Sequence, residues 1–378
     1  MELTFTEEQR TITELADRIL AAECSPEVLR SAERDEPRSW PREAWIALAD
    51  AGLTGIGLPE AAGGGGYGLC EAALVVQAVA RAAAPLPAYA TLVLGAAPIA
   101  AFGSEAQRAR WLPGVVDGSR ILTGVLVGEH DAADPPVCEH LAEGGRRVSG
   151  VGWYVPFGAD ADAYVVPVAR VDGDVVLAVI EADAPGVSSE PLAPMSGEPS
   201  AIVRFDATPV DDDALLSGSL DGVVEAHRWL RDRAVAATCV AQVGTCEGAL
   251  ALTASYVSTR EQFGSKLATF QAVAHRAADA WIDTELVRLT AWRALWRLDT
   301  GLVADDELAV AKHFTAEAAQ RVVAAAQHLH GGIGMDLDYP VHRYFRWAKE
   351  HEQRLGGGAE HLAALGRSLA ERDDPVPA

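Results

Sequence analysis

Cysteine is scarce in this chain: five residues in 378, Cys24, Cys70, Cys138, Cys239 and Cys246, an odd total without a C-x-x-C pair. That count excludes a secreted disulfide framework and fits a reducing cytoplasm, with the thiols acting as small core side chains. Basic residues are outnumbered, 31 Lys and Arg against 54 Asp and Glu, for a formal net charge of −23. No window gathers the cations a phosphate backbone requires, so nucleic acid is excluded as a partner and the acidity serves solubility. Metal-ligand spacing is lacking too, since His328 and His330 stand outside any H-E-x-x-H or Cys/His array, and no metal site is expected. The opening MELTFTEEQR has no basic segment leading into an apolar one, so no signal peptide is visible and a cytoplasmic location is expected. One uncharged stretch, Ala82 to Ser104, has the length of a membrane span. Pro85, Pro87 and Pro98 interrupt it, and Ala and Gly make up much of it, so a buried helix pair with a turn is expected and no membrane association.

What is present is ample apolar content, 49% against 22% charged residues, enough for a sizeable core in two or three domains. From Thr6 to about Gly118 the spacing is helical, with capping signals at Thr6-Glu7-Glu8 and Ser25-Pro26-Glu27. Inside it, Gly63-Gly64-Gly65-Gly66-Tyr67-Gly68 lacks the Lys and Ser/Thr of a phosphate-binding loop and reads as a tight turn. Short β-like runs (ILTGVLV, YVVPV, DVVLAVI, AIVRF) follow between about Ile121 and Asp206, separated by Gly, Pro and Asp. Long Ala-, Leu- and Val-rich helical stretches return from about Leu220, with Pro340 opening a later helix and Gly356 to Gly358 closing it. The chain reads as α+β, with a helical domain at 1–118, an antiparallel β domain at 119–220 and a helical bundle at 221–378.

Two clusters in the last third rise above generic helix: Arg260-Glu261-Gln262-Phe263-Gly264 with Phe270-Gln271-Ala272-Val273-Ala274-His275, and Leu329-His330-Gly331-Gly332-Ile333-Gly334 with Tyr339-Pro340-Val341-His342-Arg343-Tyr344. In this order and spacing, with the earlier Gly57-Leu58-Pro59-Glu60, they resemble the acyl-CoA dehydrogenase family over almost the whole chain. The resemblance implies that family's fold, with N-terminal helices, a middle β domain and a C-terminal four-helix bundle forming the oligomer interface. It also implies FAD held across that interface, with Arg260, Phe263 and Gln271 reaching the adenosine-diphosphate half of a neighbour's flavin. Gly331 and Gly332 would let backbone N–H groups approach the diphosphate, and a guanidinium is a forked, permanent cation for it. His328 stands three before Gly331, where relatives carry Gln, and either donates one hydrogen bond or is a packed helix residue.

The family's chemistry needs a carboxylate to take the α-proton while hydride leaves the β-carbon for the flavin. The usual base position, six residues after Lys349 of the A-K pair, is Leu355, and a one-residue slip gives Gly356. The minority position, 26 residues before Arg260, is Ala234. Asp232 and Glu352 are the nearest carboxylates, but two residues along a helix is roughly a 200° turn, and Glu352 stands in a charge run with Lys349, Glu350 and Arg354. The flavin-ring motifs are also altered, to Gly128-Glu129-His130-Asp131 and Trp153-Tyr154-Val155, where Val155 replaces a hydroxyl donor. Relatives' thioester-contacting Arg is Val235 here, with Arg233 nearby.

Loss is therefore confined to residues that would serve the chain's own flavin and chemistry, while those offered to a neighbour remain. The pattern is similar to the base-lacking subunit of heteromeric (α2β2) acyl-CoA dehydrogenases of bacterial sterol side-chain degradation. The expected function is a subunit of an FAD-dependent α,β-desaturase of an acyl-CoA thioester, whose homologous partner supplies the base and whose electrons pass to an electron-transfer flavoprotein. Two alternatives stay open: a self-sufficient homo-oligomer with a displaced base, and a scaffold without flavin.

Overall fold

The computed structural model describes residues 4–34, 39–128, 136–142, 145–171, 174–216 and 226–372. Glu129, His130 and Asp131 of the altered flavin-ring motif lie outside them. Six helices come first: α1 (Glu7–Glu23), α2 (Pro26–Arg34), α3 (Arg42–Asp50), α4 (Leu69–Arg81), α5 (Ala97–Phe102) and α6 (Glu105–Val116). Thr6 caps α1 as its sequence signals: its hydroxyl accepts from the Gln9 N–H and the Gln9 side chain accepts from the Thr6 N–H, both at 3.1 Å. Ser104 and Gln107 repeat the device at α6. The glycine loop is the tight turn expected; a Cβ on Gly64 would lie 2.3 Å from the Leu58 carbonyl oxygen.

The uncharged stretch after Arg81 is buried, but as one helical run rather than a pair. A turn through Ala83 leads into a π-helical segment, Tyr89–Ala96, which continues directly into α5. Gly95 allows this run to lie on the following strand, because its Cβ would sit 2.3 Å from Leu122 Cβ. Among the described residues a different helix, Ala226–Thr259, is long and apolar enough to cross a membrane, and 78% of its apolar window is buried.

Seven strands form one sheet: β1 (Leu122–Gly124), β2 (Val137–Ala142), β3 (Gly145–Pro156), β4 (Ala163–Ala169), β5 (Val175–Glu181), β6 (Val187–Leu192) and β7 (Ser200–Pro209). The order is β1-β4-β2-β3-β7-β6, with β5 also paired to β4. Most pairings are antiparallel, as expected, but β4 runs parallel to both β1 and β2, making the sheet mixed. The apolar run of β4 is buried from Ala163 to Val168, which suits a strand with parallel neighbours. Between Gly152 and Val155 the β3–β7 register shifts, and Tyr154 takes a left-handed φ of 51°.

The rest is helical: α7 (Ala226–Thr259), a hairpin of β8 (Glu261–Gln262) and β9 (Ser265–Lys266), then α8 (Gln271–Asp299), α9 (Asp305–His330), α10 (Val341–Gln353) and α11 (Gly358–Ala370). Two compact units result, one of Phe5–Val75 with Ala84–Ala234, the other of Val76–Ala83 with the chain from Val235 onward. In the second unit α7, α9 and α10 share a core of Ala249, Val323, Ala326, Val341 and Ala348, and α11 adds a fifth helix to the expected four. Small residues let the backbones approach: a Cβ on Gly244 would lie 2.1 Å from the Gln77 carbonyl oxygen, and one on Gly248 2.3 Å from that of Arg81.

Candidate functional site

The six residues expected to meet the flavin gather at one end of the C-terminal unit, where α7 stops, α8 starts and α9 stops. Arg260 follows the last turn of α7, its N–H still bonded to the Tyr256 carbonyl at 2.9 Å. The hairpin turns on Phe263 and Gly264, with φ of 53° and 75°, the paired left-handed conformation of a tight two-residue hairpin. This turn throws Phe263 outward: the residue is 94% exposed, and its ring stands perpendicular to that of Phe270, centroids 6.4 Å apart. Gln271 opens α8, whose first two turns are exposed at Gln271, Ala272, Ala274, His275, Arg276, Ala278 and Asp279.

Two contacts bring α9 to this place. Tyr256 of α7 stacks on His330 at 4.6 Å between centroids, with Tyr339 closing on the same imidazole at 5.1 Å. Arg276 of α8 hydrogen-bonds Nδ1 of His328 through one of its terminal nitrogens. His330 Nδ1 donates to the Ala326 carbonyl at 2.8 Å, and burial lowers its pKa, holding it neutral. Gly331 then ends α9 at φ 62°, ψ −137°, a region that is essentially glycine's own. A Cβ on Gly331 or Gly332 would meet nothing within 4 Å, so packing within the chain does not demand a glycine at 332. The corner is open, cationic at Arg260 and Arg276, and rich in N–H donors, which suits a diphosphate or another anion.

The expected catalytic positions lie elsewhere and are apolar. Leu355 is 4% exposed and Ala234 fully buried, Ala234 accepting at its carbonyl from the Tyr89 hydroxyl at 3.3 Å. Leu355 holds a left-handed φ of 59°, and its carbonyl is bonded to His361 Nε2 at 2.9 Å. Glu352 is engaged by Lys349 at 2.6 Å and by the Gln353 side chain at 2.9 Å, and Asp232 pairs with Arg228 at 3.8 Å. Arg233 lays its guanidinium over the Trp229 ring at 3.8 Å. Val155 is buried, and its side chain has no hydrogen-bonding group.

Sequence reasoning missed Arg276, which occupies no motif position, and the Tyr256–His330–Tyr339 stack. The stack was detectable only as aromatic residues near the motifs. It also missed the buried amine of Lys312, whose apolar neighbours in α9 suggest core without saying what a charge does there.

Residues 6–119 match the acyl-CoA dehydrogenase N-terminal domain and residues 230–369 the acyl-CoA dehydrogenase C-terminal domain. Acyl-CoA dehydrogenase FadE27 of Mycobacterium tuberculosis is 36% identical over 379 residues, covering 98% of this chain and 99% of that protein. The solved ChsE4–ChsE5 complex from Mycobacterium tuberculosis contains a chain of similar structure, with a TM-score of 0.91 at 36% identity and 100% of both chains covered. A chain of the Tcur3481–Tcur3483 steroid ACAD gives 0.88 at 39% identity, covering 97% of this chain and 98% of that one. With both domains matched and similarity running end to end, the chain belongs to the acyl-CoA dehydrogenase family of FAD-dependent oxidoreductases.

Proposed function

We propose that this chain is one subunit of a heteromeric acyl-CoA dehydrogenase, lending the adenosine-diphosphate side of a shared flavin site while a homologous partner lends the base and the ring pocket. One contrast carries this reading: the corner at Arg260, Phe263, Gln271, His328, Gly331 and Gly332 is open and donor-rich, whereas both base positions are filled by buried Leu355 and Ala234. The fit of FAD is accordingly one-sided. Gly332 stands in open space with no side chain to obstruct a diphosphate, but Val155 gives the ring no hydroxyl.

When bound, FAD would supply the hydride acceptor. Arg260 would neutralise diphosphate charge, the side-chain-free Gly331-Gly332 turn would let the diphosphate approach closely, and the Phe263 ring would cover apolar surface that otherwise meets water. The two candidate carboxylates, Glu352 and Asp232, are each paired with a cation, Lys349 and Arg228. The exposed start of α8, with Trp281 and Ile282 at 57% and 59% exposure, gives a homologous subunit a surface to cover. The steroid ACAD named among the relatives supports an acyl-CoA with a steroid side chain as substrate. An electron-transfer flavoprotein as acceptor and a cytoplasmic setting complete the reading.

The test is turnover of an acyl-CoA by the chain alone and after co-expression with a homologous subunit. Activity only in the complex, unchanged by Glu352→Gln, is expected. Turnover by the isolated chain, abolished by Glu352→Gln, would establish the self-sufficient homo-oligomer instead.

A further inference from the structure

We infer that Arg276 is a further positioning residue of this flavin site, one that selects the tautomer of His328; the inference rests on the reading above. A guanidinium has five N–H donors and no acceptor, and it keeps its proton at any relevant pH. Its hydrogen bond to His328 Nδ1 therefore requires a lone pair on that nitrogen. In this arrangement the ring proton sits on Nε2. Arg276 thus turns an ambiguous side chain into one with a fixed outward N–H.

The placement gives that donor something to do. His328 is exposed and lies three residues, about one helical turn, before Gly331. Arg276 is exposed on the second turn of α8. A hydrogen bond between two exposed side chains on separate helices contributes little to stability and restricts both rotamers. Its effect is on orientation, presenting Nε2–H beside the glycine turn and adding a second guanidinium to the corner that holds Arg260. The class of ligand this suits is the phosphate or sugar oxygen of a dinucleotide, an acceptor for a neutral N–H flanked by cations. A glutamine at 328 would carry its N–H donors without needing a tautomer fixed, which provides the control.

Two measurements test this. Selective 15N-histidine spectra of the isolated chain, with His328 assigned from His328→Gln, should show Nδ1 unprotonated in the native chain and a mixture of tautomers in Arg276→Met, whose melting temperature stays unchanged. In the co-expressed, deflavinated complex titrated with FAD, Arg276→Met should weaken binding about tenfold, the size expected for one misplaced hydrogen bond to an ionised acceptor. In the His328→Gln background the same substitution should have less than about a threefold effect. An unchanged tautomer in Arg276→Met, or equal weakening in both backgrounds, would overturn the positioning role. If Arg260→Ala also left FAD binding unchanged, the shared-site reading itself would fall, whereas its loss with Arg276→Met silent would overturn only the inference.

Discussion

The Lys312 amine donates to the main-chain carbonyl of His351 at 2.7 Å, inside a helical unit where neither side chain meets solvent. It also reaches the Glu352 carbonyl at 3.0 Å, so one buried cation caps the last turn of α10. His351 in turn bonds Gln242 of α7 through Nδ1 at 2.9 Å. Two residues past the end of α10 the chain enters the left-handed pair Leu355 and Gly356, φ 59° and 97°. The turn expected to display a catalytic base is thus firmly held, though no base stands on it.

Burial pushes the Lys312 amine down from 10.5 to about 8. The folded chain then binds fewer protons than the unfolded chain between about pH 8 and 10.5, so this group makes stability rise with pH across that window. Lys312→Met should leave the buried His351 carbonyl and the half-buried Glu352 carbonyl without this donor, lower stability at pH 7 by about 1–3 kcal/mol and remove this part of the rise. Urea midpoints of both proteins at pH 7 and 9.5 measure it; parallel shifts would mean the amine does not titrate in the window.

His330 and His351 are both held neutral by burial, with pKa values lowered from the ordinary 6.5. The unfolded chain takes up these protons first, so their contribution is complete above about pH 6.5 and is lost as the pH falls below it. His330→Phe keeps a ring against Tyr256 and removes one titrating group. Its urea midpoint should fall less between pH 6.5 and 5 than that of the native chain.

The two glycines of the α9 turn separate folding from binding. Gly331→Ala places a side chain in a glycine-only conformation and should cost about 1–3 kcal/mol of stability. Gly332→Ala meets open space and should leave the melting temperature within about a degree, since no clash or lost contact exists to move it. Flavin content of the complex should nevertheless drop with Gly332→Ala. Full flavin with that variant would mean nothing approaches the turn closely.

The exposed Trp281 and Ile282 should anchor the partner. Trp281→Glu is expected to weaken association at least about tenfold while the isolated chain keeps its melting temperature. Analytical ultracentrifugation of mixed subunits checks it, and unaltered association would place the interface elsewhere.

Much of this was legible from residues alone because local chemistry dictated it. Thr6 before Glu7 and Glu8 announces a helix start, and short apolar runs bounded by Gly, Pro and Asp mark the strands. The parallel course of β4 was not, since pairing direction depends on distant neighbours, and the π-helical run to α5 needed the contact of Gly95 with Leu122. The candidate residues were found through motifs, whereas Arg276 acts through a residue 52 positions away, which no spacing rule connects.

The central claim is that the flavin belongs to two chains. The visible absorption spectrum of the chain purified alone, and again after co-expression with a homologous dehydrogenase subunit, tests it most directly. A colourless isolated chain and a yellow complex whose flavin is lost with Arg260→Ala are predicted. Stoichiometric flavin in the isolated chain would contradict the account.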